Sequence, residues 1–126
     1  MILVDSDILI QYSRGDETAA IWLEAASERD EIVISVVTEI ELLYGSFDKR
    51  HLAEIQRLLS TFKIIQIDEE ISKWASLLVT KYCLSHRLSM PDALIAASAL
   101  VKNISLGTIN KKDFRFIAGL RLIDYP

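Results

Sequence analysis

Four acidic stretches punctuate the chain: VDSD at residues 4–7, TEIE at 38–41, MPDA at 90–93 and KKDF at 111–114. Carboxylates offer oxygen donors only. Such donors suit a hard divalent ion, Mg²⁺ or Mn²⁺, which binds through a few carboxylates and keeps several waters for a substrate to displace. Two carboxylates about 5 Å apart repel by roughly 3 kcal/mol at an effective dielectric near 20, so a cluster of four calls for a positive partner. Each acid also has an ordinary role open to it, because carboxylates accept hydrogen bonds from the free N–H groups at helix starts. Ser6 or Asp7 can cap a first helix, and Ser89 with Asp92 and Asn110 with Asp113 have capping-box spacing. Glu39 lies at one edge of the apolar stripe Val36, Ile40 and Leu43, with Glu41 at the other, and periodicity does not choose between them. Asp5 resists the capping explanation, since it ends an apolar run ahead of the cap. Asp5, Glu39, Asp92 and Asp113 all fall at or within a helical turn of points where the chain leaves a strand or enters a helix.

Those points belong to an alternating pattern. Strands are expected at residues 1–4, 31–35, 63–67 and 104–109, with a last one at 120–123. Helices are expected at 8–12, 15–29, from Val36 up to Gly45, at 49–62, from Asp68 as N-cap to about His86, and at 113–117. A helix opened by Pro91 and Asp92 is apolar almost all round (ALIAASALV) and must be buried on all sides. Apolar strands alternating with helices, without hairpin signals, predict an α/β fold: a three-layer α/β/α sandwich around a parallel sheet of four to five strands, as one domain over 1–126. Ligands of such sheets collect outside the carboxyl ends of the strands, near a switch in strand order. Asp5 should sit at that rim.

Composition agrees with a compact domain. Of 126 residues, 51% are apolar and 25% charged, which excludes disorder, and no apolar stretch approaches the ~18 residues of a membrane span. The N-terminus has no basic region ahead of a cleavable apolar segment, so export is not expected. One cysteine, Cys83, offers no internal disulfide and fits a cytoplasmic location. The net charge of −4 conceals an asymmetry: residues 1–70 carry 6 basic against 15 acidic side chains, and residues 71–126 carry 8 against 3. A basic second part can attract an anionic ligand despite the acidic total.

The stretches VDSDILI, SVVTEIELLYG, MPDALIAASAL and TINKKDF, in that order and down to the closing GLRLIDY, resemble the PIN domain, particularly the VapC-type toxin ribonucleases of toxin–antitoxin pairs. The resemblance implies an acidic quartet that binds Mg²⁺ or Mn²⁺ and cuts RNA, with Asp5, Glu39, Asp92 and Asp113 as metal ligands and catalytic acids. The choice of Glu39 over Glu41 comes from the resemblance alone. Ser6, Thr108 and Asn110 match the polar residues that support the ligands, while Asp7 stands where the family varies and reads as a cap or an outer ligand. Such an ion would activate a water against a phosphodiester, leaving a 5′ phosphate and a 3′ hydroxyl. Lys111, Lys112 and Arg115, beside Asp113, are candidates to grip the RNA backbone. The resemblance also implies a cognate antitoxin that pushes an arginine or lysine toward the acidic site, and a homodimer. Trp22, Leu42 and Tyr44 are apolar candidates for such contacts, with core packing as the alternative. Three other readings compete: an aspartyl phosphatase of the haloacid dehalogenase type using Asp5 and Asp7, a metal-free nuclease using His51 and His86, and a silent module whose acidic pocket receives a basic peptide.

Overall fold

The computed structural model describes all 126 residues. Five short strands form one sheet: β1 (Ile2–Val4), β2 (Ile32–Ser35), β3 (Lys63–Ile65), β4 (Ser105–Gly107) and β5 (Leu122–Ile123). Their order is β3-β2-β1-β4-β5 and every pairing is parallel. The chain therefore builds outward from β1 on one side, then crosses back to lay β4 against its other side. This reversal opens a crevice between the carboxyl ends of β1 and β4, where open α/β sheets bind their ligands.

The two-residue alternation of the strands sorts their side chains into two cores. Leu3, Val33, Ile65 and Leu106 pack beneath α5 (Glu69–His86) and α6 (Met90–Lys102), together with Phe114 and Ile117. Ile2, Val4 and Ile34 pack against α1 (Ser6–Ser13), α2 (Glu17–Arg29), α3 (Val36–Tyr44) and α4 (Lys49–Leu59). The predicted α/β/α sandwich is the observed architecture. Four small residues of α6, Ala93, Ala96, Ala97 and Ala99, are wholly or almost wholly buried. They let this helix lie close to the sheet and to α5. No helix is long and apolar enough to cross a membrane.

The helix caps carry much of the local logic. Asp16, Asp48 and Asp68 each accept a hydrogen bond from the backbone N–H three residues on, at 3.0, 2.7 and 2.9 Å, and so start α2, α4 and α5. Ser89 does the same for α6 through Asp92 N at 3.3 Å. The first helix departs from expectation: its N-cap is Asp5 itself, whose carboxylate accepts from Ser6 N at 2.8 Å, and neither Ser6 nor Asp7 fills that role. The helix expected at 113–117 is instead a 3₁₀ turn at Lys111–Asp113, and Asn110 makes no side-chain cap there. Phe114, 1% exposed, pins this turn to the lower core.

Trp22 and Leu42 are core residues, 8% and 3% exposed, whereas Tyr44 is 91% exposed. The Trp22 ring lies over Gly107, where a β-carbon would overlap it, and its indole N–H donates to Asp124 O at 2.8 Å.

Candidate active site

Asp5 leaves β1 at the switch point, and its N–H still pairs with Gly107 O of β4 at 2.9 Å. The carboxylate is buried. One oxygen accepts from Ser6 N, and the other accepts from the Thr108 hydroxyl at 2.8 Å. Thr108 is itself wholly buried at the exit of β4. The two central strands thus lock one carboxylate in orientation from both sides of the crevice.

Asp7 follows in the first turn of α1 without capping it. Its Oδ2 receives the Thr108 hydroxyl, Ile109 N and Asn110 N, each at 3.1 Å, while Oδ1 is buried with no partner. Asp92, in the first turn of α6, is half-buried and close enough to Asp113, Glu41 and Asp7 to feel their charges.

The glutamate that joins this group is Glu41, not Glu39. The Ser6 hydroxyl donates to Glu41 Oε1 at 3.3 Å, and Glu41 also feels Asp7. No hydrogen bond or ion pair ties Glu39 to any of the acids. The reason lies in the phase of α3. Counting apolar residues places its packed side at Val36, Ile40 and Leu43, but Ile40 is 58% exposed, and the buried positions are Thr38 and Leu42. At 100° per residue these two lie roughly opposite Ile40. Glu41 then falls on the edge that meets α1, with which α3 packs. The signal that could have found it is Thr38: a threonine at core spacing between valines and isoleucines can be the buried residue.

Crowding leaves an electrostatic signature. Burial, then the neighbouring Asp7 charge, pushes Asp5 up to about 7, against the hydrogen bonds from Thr108 and Ser6. Burial, then Asp113, raises Asp92 to about 6. Burial also raises Glu41, with Ser6 opposing and Asp7 adding to the shift. Asp5, Asp7, Glu41, Asp92 and Asp113 thus feel one another's charges along one rim, and it is Glu41 rather than Glu39 that hydrogen-bonds to Ser6. No three acids converge closely enough, as they stand, to enclose a single ion.

Of the three basic candidates, Lys111 reaches Asp124 at 3.4 Å, while Lys112 and Arg115 are exposed and form no ion pair. His51 stacks on Phe47 at 4.0 Å and His86 on Phe116 at 4.1 Å, on separate helices and hydrogen-bonded to none of the acids. This arrangement gives the metal-free reading no acid–base pair. Asp7 spends one oxygen on two backbone N–H donors, which leaves it poorly suited to the proton-carrying role of a phosphatase.

Comparisons with known proteins place the fold. The model of the PIN domain family matches residues 2–120. The chain is similar to Ribonuclease VapC10 of Mycobacterium tuberculosis, 38% identical over 122 residues and covering 96% of this chain and 91% of that protein. It is also similar to Ribonuclease VapC1 of Rickettsia felis, 32% identical, covering 97% and 94%. Among solved structures, a toxin–antitoxin complex from Klebsiella pneumoniae superposes with a TM-score of 0.83 at 31% identity, over 98% of this chain and 97% of that one. VapBC2 from Rickettsia felis, bound to a DNA fragment from its promoter, superposes with a TM-score of 0.86 at 25% identity, over the full length of both chains. The chain belongs to the PIN domain family.

Proposed function

We propose that this chain is a VapC-type toxin: a divalent-metal-dependent endoribonuclease that acts in the cytoplasm and is silenced by a cognate antitoxin. The observation that carries the reading is the mutual charge influence that links Asp5, Glu41, Asp92 and Asp113 beside the β1/β4 switch point, in a chain similar over nearly its whole length to proteins named ribonucleases.

The residues fit a divalent cation. The donors are all oxygen, and two of the acids are driven toward the protonated form by burial and then by their neighbours' charges. Since no three acids converge, the mode that suits them is that of Mg²⁺ or Mn²⁺, held by one or two carboxylates with waters filling the other positions. Asp5 and Asp92 would hold such an ion, and Glu41 and Asp113 would supply further oxygens to it or to its waters. When bound, such an ion supplies a Lewis acid that takes a phosphodiester oxygen and lowers the pKa of a water. The chain does the rest. Ser6 N and Thr108 fix the Asp5 carboxylate, each holding one of its oxygens, and so pre-set the orientation of a ligand. Glu41, exposed and oriented by Ser6, is placed to align the attacking water and receive its proton. Lys112 and Arg115, flanking Asp113 and unpaired, are free to hold phosphates of a single-stranded RNA.

The antitoxin reading rests on the toxin–antitoxin complexes among the structural relatives and on surface chemistry. Ile40 and Tyr44 on α3, with Phe47 beyond it, are exposed apolar groups. A cleft of about 180 Å³ lined in part by Arg14, Glu41, Leu42, Phe47 and Ile55 opens at Glu41, where an apolar segment of a partner would seat with an arginine directed to that carboxylate. Trp74, Leu77 and Leu84 leave a second apolar stripe on α5, which supports self-association into a homodimer.

The test is cleavage of single-stranded RNA with Mg²⁺ or Mn²⁺. Asp5→Ala, Asp92→Ala and Glu41→Gln should each lose at least ~100-fold in rate, about 3 kcal/mol of transition-state stabilisation, while Glu39→Gln stays close to the parent. Cleavage that persists in EDTA, or that tracks Glu39 rather than Glu41, contradicts the reading.

A further inference from the structure

The carboxylate left over from the site is Asp7. Its two oxygens live in different worlds. Oδ2 is surrounded by donors: the Thr108 hydroxyl, Ile109 N and Asn110 N, each at 3.1 Å. A hydroxyl has one hydrogen, and Thr108 makes its shorter contact, 2.8 Å, with Asp5. The two backbone N–H groups are therefore the firm bonds to Asp7. They reach across a sequence separation of more than 100 residues and belong to the segment that leaves β4.

That segment delivers Asp113. Asn110 precedes the 3₁₀ turn Lys111–Asp113, its side chain does not cap that turn, and its carbonyl accepts from Asp113 N at 3.1 Å. The path from Asp7 to Asp113 is thus two hydrogen bonds through one residue: Asp7 Oδ2 receives Asn110 N–H, and Asn110 C=O receives Asp113 N–H. From the far side, Phe114 is sunk in the lower core and Tyr82 Oη accepts from Ala118 N at 3.3 Å. The turn is held behind by packing. Toward the crevice it is held by Asp7.

We propose that Asp7 is a positioning residue: through Oδ2 it latches the β4 exit loop to the first helix and so sets where Asp113 stands relative to Asp92 and Asp5. This rests on the nuclease reading for its consequence, but the latch itself can be measured without any activity.

Asp7→Asn separates latch from charge. With two N–H groups pointing at the Oδ2 position, an asparagine must turn its carbonyl oxygen there, and its amide nitrogen replaces the oxygen that has no partner. Asp7→Ala removes both. Amide hydrogen exchange should show Ile109 and Asn110 losing at least ~10-fold in protection in Asp7→Ala, with Asp7→Asn retaining most of it. The rate of RNA cleavage should fall ~10- to 100-fold in Asp7→Ala, as for other groups that orient ligands, and Asp7→Asn should recover most of that loss. In an Asp113→Asn background, Asp7→Ala should cost less than ~3-fold more, because the latch acts through Asp113. A merely structural role would add its full cost there. The proposal is overturned if Asp7→Ala leaves the two amides protected, if Asp7→Asn is as slow as Asp7→Ala, or if the double variant is additive. Should Asp7→Ala not fold, loss of protection or rate in Asp7→Asn still overturns it. Should the parent not cut RNA, the nuclease reading fails while the exchange measurement still decides the latch.

Discussion

Asp5 serves two ends that conflict in the metal-free protein: it caps α1, and it lies buried near the like charges of Asp7 and Asp92. Asparagine is as good an N-cap as aspartate, so Asp5→Asn keeps the bond from Ser6 N, and the Thr108 hydroxyl can turn to accept from the new amide. The variant loses the cost of burying a charge and, with it, the repulsion. Folded Asp5 titrates near 7 against an ordinary 3.8, so the folded state holds its proton more tightly and loses stability as pH rises from about 4 through 7. Asp5→Asn should therefore melt higher than the parent at about pH 8 without divalent ions, and no higher at about pH 4, where the parent carboxyl is also neutral. A drop at pH 8 would mean that the charge is not strained. At this scale the sequence is a good guide to Asp5, Ser6 and Thr108, because a buried strand that ends in an acid or a threonine has few other partners. It is a poor guide to α3. A wheel drawn from apolar residues alone turns that helix the wrong way round, since the stripe of Ile40 and Tyr44 faces out while Thr38 is buried.

Elements hold these residues through close packing at the switch point. Gly107 ends β4 one residue before Thr108, paired with Val4 on one side and Ile123 on the other, and the Trp22 ring of α2 lies where its side chain would go. Trp22 is anchored in turn by its bond to Asp124 O and by Tyr125 at 5.6 Å. Overpacked cores typically lose 1–3 kcal/mol, so Gly107→Ala should lower unfolding stability by about 2 kcal/mol in a urea titration. A neutral result would mean that the ring shifts freely. The long elements were legible from the sequence for a physical reason: Asp68 caps α5, and an apolar run without a polar face marks α6 as buried. The 3₁₀ turn was not, because Asn110 and Asp113 have the spacing of a capping box while the turn is held by Asp7 and Phe114, contacts that spacing within the segment does not reveal.

At the scale of the whole molecule, charge is segregated along the chain, with the acidic first part contributing Asp5, Asp7 and Glu41 and the basic second part contributing Asp92 and Asp113 between lysines and arginines. Such a molecule can gather a cation and a polyanion at one rim, each easing the cost of the other. A divalent ion would complete this group of acids, and protons compete with it for the same oxygens. Ion binding should release protons, and affinity should rise as pH moves from below 6 to above 7, through the ranges of Asp92 and Asp5. The most direct measurement is a calorimetric titration of Mn²⁺ into the purified protein at about pH 6 and pH 8, in buffers of different ionisation enthalpy, alongside Asp92→Asn. An ion held by these carboxylates should bind more tightly at the higher pH, give a heat that varies with the buffer, and bind at least ~10-fold more weakly to the variant. Binding that ignores pH and survives Asp92→Asn unchanged would place the ion elsewhere and overturn the assignment of these acids.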